Sequence, residues 1–570
     1  MNKVKFENKT LLTNFGSLKK KNNFMKIAVC QYNPIIGDIK GNKEKILNGY
    51  KKAIEGKADL VVFPELFLCG YPPQDLVEKK EFRDELISTS NEIARITTDV
   101  GLIFGSITED YEDNIGTNIY NSALLCFDGK IQFIQNKTLI PNYDVFDEVR
   151  YFESAKSVSV FNFKDEKLGI SICEDIWNDA DYWKHRRYNV DPIKILYEQG
   201  ATILINISAS PYAYGKRKEK YEMLKKLTTD DKLPLVYTCC VGAQTDLIFD
   251  GASFCFDKNG KLNLMGKKYD EDFFIYDTKH SYQEITSIES SFEEEVLQAL
   301  ILGIKDYANK TGFKKALVGL SGGIDSALVT YLAVQALGNE NVHVVMMPSK
   351  FSSEGSIKDS EKLIQNLSIS SDNISIQPVV DVVLKQLENS FKNKPIDVTE
   401  ENIQSRIRGL YLMALANKHG YLLLTTGNKS EIATGYATLY GDMCGALAVI
   451  GDVYKTQVYK IANYVNREKE IIPKEIIDKA PSAELRPNQK DQDSLPPYEL
   501  LDQILKLYLE DHKEKNEITK IIGNEVVVNK VLRLVDMNEF KRKQAAPVLR
   551  VSTKAFGYGR RFPIVQGWRK

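Results

Sequence analysis

Apolar and polar residues alternate with two different periods along the chain. Between residues 25 and 278, short apolar runs of strand length outnumber stretches with helical spacing. Asp128-Gly129 and the polar residues 164–167 each separate two such runs and predict hairpins. The first half is therefore predicted to be an α/β layered domain rich in strands. Its predicted strands cover 25–31, 58–63, 101–107, 158–163, 168–172, 202–207, 235–241 and 252–256, and its helices cover 42–55, 76–97 and 192–198.

The second half changes to a regular alternation of strands and helices. Residues 279–291 are polar and lack a clear period, so they are predicted to be a linker between domains at 25–278 and 292–570. The alternation predicts a doubly wound, mostly parallel, Rossmann-like sheet. Its predicted strands cover 316–320, 342–347, 374–380 and 421–425, and its helices cover 292–311, 327–337, 354–367, a stretch ending at 391, and 400–419.

One turn of this half, SGGIDS at residues 321–326, joins an apolar strand to a helix. Such a turn presents free backbone N–H groups and the positive end of the helix dipole, so it predicts an anion site. The Gly-Lys-Ser/Thr ending of a Walker A loop is absent. SGGIDS instead resembles the pyrophosphate loop of the ATP pyrophosphatases, which activate a carbonyl or carboxylate as an adenylate. A tight turn that binds nothing is the alternative.

Length and composition argue against several classes of protein. A chain of 570 residues, 43% hydrophobic and 27% charged, is typical of a globular protein with two or more domains. The net charge of −1 argues against a nucleic-acid binder, and no apolar run reaches the roughly 20 residues that cross a membrane. Residues 1–24 lack the apolar core of a signal peptide, so we expect a disordered extension. Eight cysteines without CxxC spacing indicate a reducing, cytoplasmic location and argue against structural zinc.

Three polar residues of the first half, Glu65, Lys137 and Cys173, follow apolar strands. Strand ends are where α/β sheets build sites. An ammonium beside a thiol favours the thiolate and can stabilise an oxyanion, and a carboxylate can transfer the proton. The set suits acyl transfer from an amide through a thioester. Considered alone, a cysteine after an apolar strand is more often a core residue than a nucleophile, and a glutamate or lysine there is usually a solvated strand end.

The stretches around these residues narrow the choice. FPELFLCGYPPQD, NKTLIPNYDVFDEVRYF and GISICEDIW resemble the three signatures of the nitrilase superfamily, in that family's order. The resemblance covers about residues 26–275 and implies an α-β-β-α sandwich. It also implies that Cys173 is the nucleophile, Glu65 the general base and Lys137 the group that stabilises the oxyanion. The residues it implies near the glutamine pocket are Tyr71, Glu148, Glu174, Ser208 and Ser210.

Polar clusters also follow the predicted strands of the second half. Asp325 and Glu431 each lie in a loop after a parallel strand. They are the best-placed carboxylates for Mg²⁺, which needs one or two of them near the phosphates of ATP. Lys455 can offset phosphate charge. Asn402 and Arg406 share one helix face, where surface salt bridges are an equal alternative.

In this order the clusters resemble the NAD⁺ synthetase family, and with the first half they resemble its two-domain, glutamine-dependent form. The resemblance covers about residues 26–570. It implies amidation of deamido-NAD⁺ through an adenylate, using ATP, Mg²⁺ and ammonia from L-glutamine. It further implies a homo-oligomer and a mobile loop over residues 480–500. The implied ATP contacts are Ser321, Gly322, Gly323, Asp325, Ser326, Met347, Thr426 and Lys455, and the implied deamido-NAD⁺ contacts are Asn402, Arg406, Glu431 and Asp442, with Asp325 and Glu431 holding the metal.

Other interpretations stay open from the sequence. A different adenylating amidotransferase would share the general design of both halves. A plain amide hydrolase with a regulatory second half would not need Asp325, Glu431 and Lys455 together. A nucleotide sensor built on inactive domains would be expected to lack Cys173 or the SGGIDS motif. The basic tail either reaches a neighbouring site or is flexible, and the residues concerned are Phe556, Arg560 and Arg561.

Overall fold

The computed structural model describes residues 24–111, 115–179, 182–392 and 394–568. The predicted N-terminal extension lies outside these ranges, apart from Phe24. No helix within them is both long and apolar enough to cross a membrane.

The first half consists mainly of strands. Its helices are α1 Ile39–Glu55, α2 Lys80–Arg95, α3 Pro192–Glu198 and α4 Lys216–Asp231. Its strands are β1 Lys26–Gln31, β2 Leu60–Val62, β3 Gly101–Glu109, β4 Ile119–Phe127, β5 Lys130–Asn136, β6 Phe161–Phe163, β7 Glu166–Ile172, β8 Ile203–Ser208, β9 Leu235–Cys239, β10 Val241–Gln244, β11 Leu247–Asp250, β12 Phe254–Phe256, β13 Leu262–Met265 and β14 Asp272–Asp277.

Two sheets pack face to face in this half, with strand orders β14-β1-β2-β3-β4-β5 and β13-β12-β9-β8-β7-β6. Apolar side chains from both sheets, among them Val29, Ile103 and Ile205, fill the space between them. Helices α1 and α2 cover the outer face of the first sheet, and α3 and α4 cover that of the second. Strands buried on both faces need apolar residues throughout, as the sequence provides. The α-β-β-α arrangement confirms the fold predicted for this half.

The second half alternates strands and helices. Its strands are β15 Ala316–Gly319, β16 Val342–Met346, β17 Ser370–Asn373, β18 Leu422–Thr425 and β19 Leu447–Ala448. Its helices are α5 Phe292–Thr311, α6 Ile324–Leu337, α7 Glu354–Leu367, α8 Gln377–Phe391, α9 Val398–His419, α10 Lys429–Thr434, α11 Lys455–Val465, α12 Lys474–Asp478, α13 Tyr498–Leu509, α14 Lys515–Ile522, α15 Glu525–Met537 and α16 Glu539–Arg542.

The strands of this half form one parallel sheet in the order β17-β16-β15-β18-β19. Helices α5, α6 and α11 pack on one face, and α8 and α9 pack on the other. This confirms the predicted doubly wound sheet. The strand order reverses direction beside β15, the strand that leads into SGGIDS. Ligands of open α/β sheets bind at the carboxyl ends of the strands at such a point.

The predicted strand at 374–380 is wrong. The strand at this place is β17, four exposed polar residues that pair only with β16 at the sheet edge. The apolar residues that follow belong to the start of α8, where Ile376 and Val380 are buried. Pro378 lies in the first turn of α8, a position that favours a helix start. An edge strand needs no apolar pattern, so the apolar run was assigned to the wrong element.

Two further differences lie in the first half. The predicted helix at 76–97 is a 3₁₀ turn, Gln74–Glu78, followed by α2, because Lys79 between them has an extended backbone. Helix α4 and the hairpin β10–β11 were not predicted. The buried side of α4 includes Arg217 and Thr228 beside its apolar residues, which weakens the helical period.

The two halves meet through buried polar contacts as well as apolar packing. Arg217 of the first half binds Asp250 at 2.7 Å and Glu295 of α5 at 2.6 Å. Asp306 of α5 accepts hydrogen bonds from the Asn33 side chain and the Ala243 backbone, each at 2.7 Å. Residues 279–291 connect the halves without forming a helix or strand. The junction is therefore specific, since a buried charge or donor loses its partner if the halves shift.

We predict that Gly105→Ala lowers the free energy of unfolding by about 1–3 kcal/mol, the usual cost of overpacking. A Cβ at Gly105 would lie 2.1 Å from the backbone nitrogen of Leu66 and 2.6 Å from the carbonyl carbon of Glu65. The matched control is Gly355→Ala in α7, where the nearest atom is 3.8 Å away and alanine favours the helix. Thermal unfolding measures both. An unchanged midpoint for Gly105→Ala would show that β3 does not constrain the Glu65 turn.

Candidate active sites

The first site is a buried charge cluster at the ends of three strands. Glu65 lies in the turn after β2, Lys137 directly follows β5, and Cys173 directly follows β7 in the opposite sheet. The Lys137 ammonium lies 2.7 Å from Glu65 Oε1 and 2.8 Å from Glu148 Oε1. The backbone N–H of Ala209 donates to Glu65 Oε2 at 2.9 Å. The two sheets thus bring together the predicted base, ammonium and thiol.

Burial controls the protonation of this cluster. Burial and the Glu65 carboxylate raise the pKa of the Cys173 thiol, although the Lys137 ammonium opposes the rise. For Lys137, burial favours the neutral amine, but Glu148 and Glu65 outweigh it and raise the pKa above the ordinary lysine value. Burial, with repulsion from Glu65, raises the pKa of Glu148 to about 7. The thiol therefore keeps its proton until a base removes it, and the lysine stays charged.

Cys173 has a left-handed backbone, with φ of +44°. This conformation turns the chain sharply between β7 and the 3₁₀ turn Cys173–Ile176, and non-glycine residues adopt it mainly where surrounding structure enforces it. The enforcing contact is Asp175, which sequence reasoning missed. Its Oδ1 accepts the backbone N–H groups of Thr138 and Leu139 at 2.9 and 2.7 Å, and its Oδ2 accepts that of Ile172 at 3.0 Å. One carboxylate thereby ties the Lys137 segment to the Cys173 turn.

The residues predicted near the glutamine pocket fall into two groups. Tyr71 donates to Glu148 at 2.9 Å, so both lie inside the charge cluster. Glu174 directly follows Cys173 and accepts hydrogen bonds from the hydroxyls of Tyr143 and Tyr188 at 2.9 and 3.2 Å.

Ser208 and Ser210 are both buried after β8. The Ser208 hydroxyl donates to Asn206 at 2.7 Å, so that bond is internal to the protein. Ser210 lines a small cavity together with Lys216.

Lys216 is a second residue that sequence reasoning missed, because α4 was not predicted. Its ammonium lies 5.5 Å from the ring centre of Trp177 and 5.9 Å from that of Phe146. Burial and the positive charge of Arg550 lower the pKa of Lys216, and the Glu174 carboxylate is near enough to oppose that change. Its side chain has no hydrogen-bond partner within the described ranges. It is thus a cation beside the thiol with its donors uncommitted.

The second site surrounds the turn between β15 and α6. Gly322 has a φ of +77°, and a Cβ there would lie 2.4 Å from the backbone oxygen of Ser356. Glycine is therefore required on both counts. Ser326 donates to the backbone oxygen of Gly323 at 3.0 Å and accepts from the N–H of Ser321 at 3.2 Å. These bonds hold the turn closed at the N-terminus of α6.

Three charged side chains lie beside this turn. Lys455 forms an ion pair with Asp325 and lies 3.6 Å from Glu431. Asn428 donates to Asp325 at 3.0 Å and caps α10, accepting the N–H of Glu431. Burial, with repulsion from Asp325, raises the pKa of Glu431 to about 8. Lys455 keeps a raised pKa because both carboxylates outweigh its burial.

A cavity of about 290 Å³ opens over the turn. Arg408, which sequence reasoning did not select, also lines it; its guanidinium donates to the Met347 carbonyl at 3.1 Å, and burial lowers its pKa to about 10. The predicted residues that line the cavity are Ser321, Gly322, Gly323, Asp325, Ser326, Met347, Thr426, Glu431, Asp442 and Lys455.

Asn402 and Arg406 do not line this cavity. Both contact the loop that leads to Asp442: Asn402 accepts from the Thr438 hydroxyl at 2.8 Å, and Arg406 donates to the Leu439 carbonyl at 3.3 Å. The same loop binds Asp442, whose carboxylate accepts the Thr438 N–H at 2.6 Å. The two helix residues therefore support the loop rather than face the cavity in this structure.

Two further segments from the sequence analysis, residues 480–500 and the basic tail, contact the rest of the protein in this structure. In the 480–500 segment, Glu484 accepts from the hydroxyls of Ser353 and Ser356 at 2.9 and 2.7 Å, beside the SGGIDS turn. The tail residues divide: Phe556 is buried in the second half, Arg560 binds Glu539, and Arg561 lies 3.2 Å from Asp147 of the first half.

Both halves of the chain match known protein families. A family model for carbon-nitrogen hydrolases matches residues 26–278, and one for NAD synthases matches residues 296–545. A glutamine-dependent NAD(+) synthetase from Synechocystis is 44% identical over 95% of this chain and 99% of that protein. One from Thermotoga maritima is 41% identical over 96% and 99%.

A solved structure agrees with this result. The glutamine-dependent NAD+ synthetase of Acinetobacter baumannii, solved with ADP, is 37% identical and superimposes with a TM-score of 0.76 over 96% of this chain and 99% of that one. Similarity at this level extends across both sites and the junction between them. The chain belongs to the family of glutamine-dependent NAD(+) synthetases.

Proposed function

We propose that this protein makes NAD⁺ from deamido-NAD⁺ and ATP, with glutamine as the nitrogen donor. The observation that carries the proposal is the presence, in one chain, of the buried Glu65–Lys137–Cys173 cluster and of the SGGIDS turn with Asp325, Glu431 and Lys455 beside it. The first group suits the release of ammonia from an amide. The second suits the activation of a carboxylate by a nucleotide.

At the first site, Glu65 removes the proton of Cys173 and the sulfur attacks the side-chain amide carbon of glutamine. The Lys137 ammonium stabilises the tetrahedral oxyanion. Glu65 then gives its proton to the departing nitrogen, the C–N bond breaks, and ammonia leaves a thioester. A water molecule, deprotonated by Glu65, cleaves the thioester to glutamate and restores the thiol. Glu148 keeps Lys137 charged through these steps, since it lies 2.8 Å from the ammonium.

Glutamine has a carboxylate and an ammonium at its far end, and the site offers a partner for each. Lys216 is an uncommitted cation beside Cys173, and it can bind the carboxylate. Glu174, already held by Tyr143 and Tyr188, can bind the ammonium. We assign these two residues to the recognition of the free amino acid, with Tyr71, Ser208 and Ser210 forming the surrounding wall.

At the second site, a carboxylate oxygen of deamido-NAD⁺ attacks the α-phosphorus of ATP, and the bond to the bridging oxygen breaks to release pyrophosphate. The backbone and hydroxyls of residues 321–326 bind the phosphates, with Thr426 nearby and Met347 at the adenine end. Lys455 offsets the charge of the departing pyrophosphate. Ammonia then attacks the acyl carbon, AMP leaves, and nitrogen loses a proton. Asp442 contacts deamido-NAD⁺, with Asn402 and Arg406 supporting its loop.

Asp325 and Glu431 would hold Mg²⁺, which neutralises phosphate charge in such sites. Their fit rests on chemistry: these two partly exposed carboxylates lie close enough for Asp325 to help raise the pKa of Glu431. No group of three or more metal-binding side chains comes together in the described ranges, so phosphate and water would complete the shell.

Location and assembly belong to the same proposal. All eight cysteines lie in the described ranges and none forms a disulfide, which supports a reducing, cytoplasmic location. We expect a homo-oligomer, as the family resemblance implies, and light scattering of the purified protein tests it.

The first test measures NAD⁺ formation from deamido-NAD⁺ and Mg·ATP, with glutamine and with ammonium in parallel. We expect activity with both. Cys173→Ala should lower the glutamine-driven rate by at least about 10³-fold, as loss of a nucleophile does. It should leave the ammonium-driven rate close to that of the wild type. Loss of both rates would mean that Cys173 acts in the fold or that the sites cannot work separately.

Asp325→Asn should lower both rates by about 10²-fold or more, because it removes one of the two carboxylates that would hold Mg²⁺ beside the phosphates. The loss is expected in kcat more than in KM for ATP, since the backbone of the turn still binds phosphate. Steady-state kinetics with ammonium separate the two constants. Unchanged turnover would contradict the role given to Asp325. Asp372→Asn, at an exposed sheet edge, is the control.

Glutamate release by the first site should fall as the pH drops through about 7. Both oxygens of Glu148 accept hydrogen bonds, from Tyr71, Lys137 and Asn121, so only the carboxylate fits the cluster. With its pKa raised to about 7 by burial, Glu148 is ionised above that pH and protonated below it. Glu148→Gln should lower release by about 10-fold or more, the worth of a charged hydrogen bond. It should also lack this acid limb. An identical limb in the variant would assign the titration to another group.

A further inference from the structure

Asn121, the third residue of β4, is not among the residues assigned above. Its side chain is fully buried at the first site. The amide nitrogen donates to Glu65 Oε1 at 2.7 Å and to Glu148 Oε2 at 3.4 Å. Its backbone oxygen accepts the backbone N–H of Lys137 at 2.8 Å. One residue thus contacts the base, the second glutamate and the backbone of the lysine.

We propose that Asn121 is the positioning residue of the ammonia-releasing site. By donating to both carboxylates at once, it fixes Glu65 and Glu148 side by side with their charges directed at Lys137. The inference rests on the proposed function of that site, and it adds a residue that neither the motifs nor the strand-end pattern selects.

The chemistry of the cluster calls for such a donor. Two carboxylates share one ammonium in a space closed to water, so their repulsion must be reduced by further donors. An amide can donate without adding or removing charge. A lysine here would neutralise the cluster, and an aspartate would add a third negative charge.

The side-chain oxygen of Asn121 indicates a role beyond packing. The Asn121 oxygen Oδ1 is buried and has no hydrogen-bond partner in the described ranges. A buried acceptor left unpaired costs stability, so a residue serving only the fold would be a poor choice here. The cost is consistent with a residue retained for the two bonds that its nitrogen makes.

The pairing of β4 fixes where the Asn121 side chain lies. Strand β4 pairs with β3 on one side and β5 on the other, and this pairing fixes the register of Asn121 in the sheet. Side chains alternate between the faces of a strand. Ser122, the next residue, accordingly points to the opposite face, where it donates to Asn136 at 2.7 Å. Asn136 is therefore a neighbouring amide that does not touch the charge cluster.

The test compares Asn121→Ala with Asn121→Asp, which keeps the shape but replaces the donor by an acceptor. Glutamate release and NAD⁺ formation are measured, with glutamine and with ammonium. We expect kcat with glutamine to fall about 10–100-fold in the alanine variant, the effect of a misplaced catalytic group, and further in the aspartate variant. The acid limb of glutamate release should move to higher pH in the alanine variant, since a carboxylate that loses a donor holds its proton longer. Ammonium-driven synthesis should be unchanged in both.

Asn136→Ala and Asn136→Asp are the matched controls and should keep both activities. An aspartate variant more active with glutamine than the alanine variant would overturn the proposal, because shape rather than donation would then matter. A parallel loss of the ammonium-driven rate would also overturn it, by assigning Asn121 to the fold as a whole. Failure of the wild type to form NAD⁺ from glutamine would count against the proposed function instead, and glutamate release still tests Asn121.

Discussion

The arrangement of the first site depends on the buried ammonium of Lys137. Removing an ammonium from water costs several kcal/mol, and the cost is offset only when its partners are in place. Here the partners are Glu65 and Glu148, at 2.7 and 2.8 Å. If either carboxylate moved, a charge would be left unpaired in the protein interior. The turn after β2, the end of β5 and the Glu148 turn are therefore held in one relative arrangement, next to the thiol of Cys173.

The second half uses the same three chemical groups in a more open setting. Lys455 lies between Asp325 and Glu431 as Lys137 lies between its two glutamates. The difference is access, because this cluster lines a cavity whereas the first is sealed. In the buried cluster, the charges keep the same protein partners while a small reactant is bound. An open one can exchange a carboxylate partner of its lysine for an arriving phosphate, which suits a site that must bind and release polyanions.

Periodicity and strand-end chemistry explain what could be predicted from the sequence. Strands buried on both faces and helices of regular spacing identified both layered folds. Polar residues after those strands gave Glu65, Lys137, Cys173 and Asp325 as candidate site residues. Asn121 escaped because it lies inside a strand, where a single polar residue has no distinguishing pattern. Lys216 escaped because the polar residues on the buried side of α4 hide its period. Asp175 works through backbone N–H groups that are distant along the chain, so only the folded structure shows its role.

The polar strand β17 has a consequence for how the molecule behaves in a crowded solution. It forms one border of the parallel sheet, and all four of its residues are exposed. An open sheet border can recruit a strand from another molecule, and charged or polar residues and short length discourage this. Ser370–Asn373 meets both conditions, and the apolar residues that follow are withdrawn into helix α8. If the apolar run at 374–380 had formed this border instead, the same fold would have an exposed apolar edge strand. The placement of these few residues therefore disfavours aggregation.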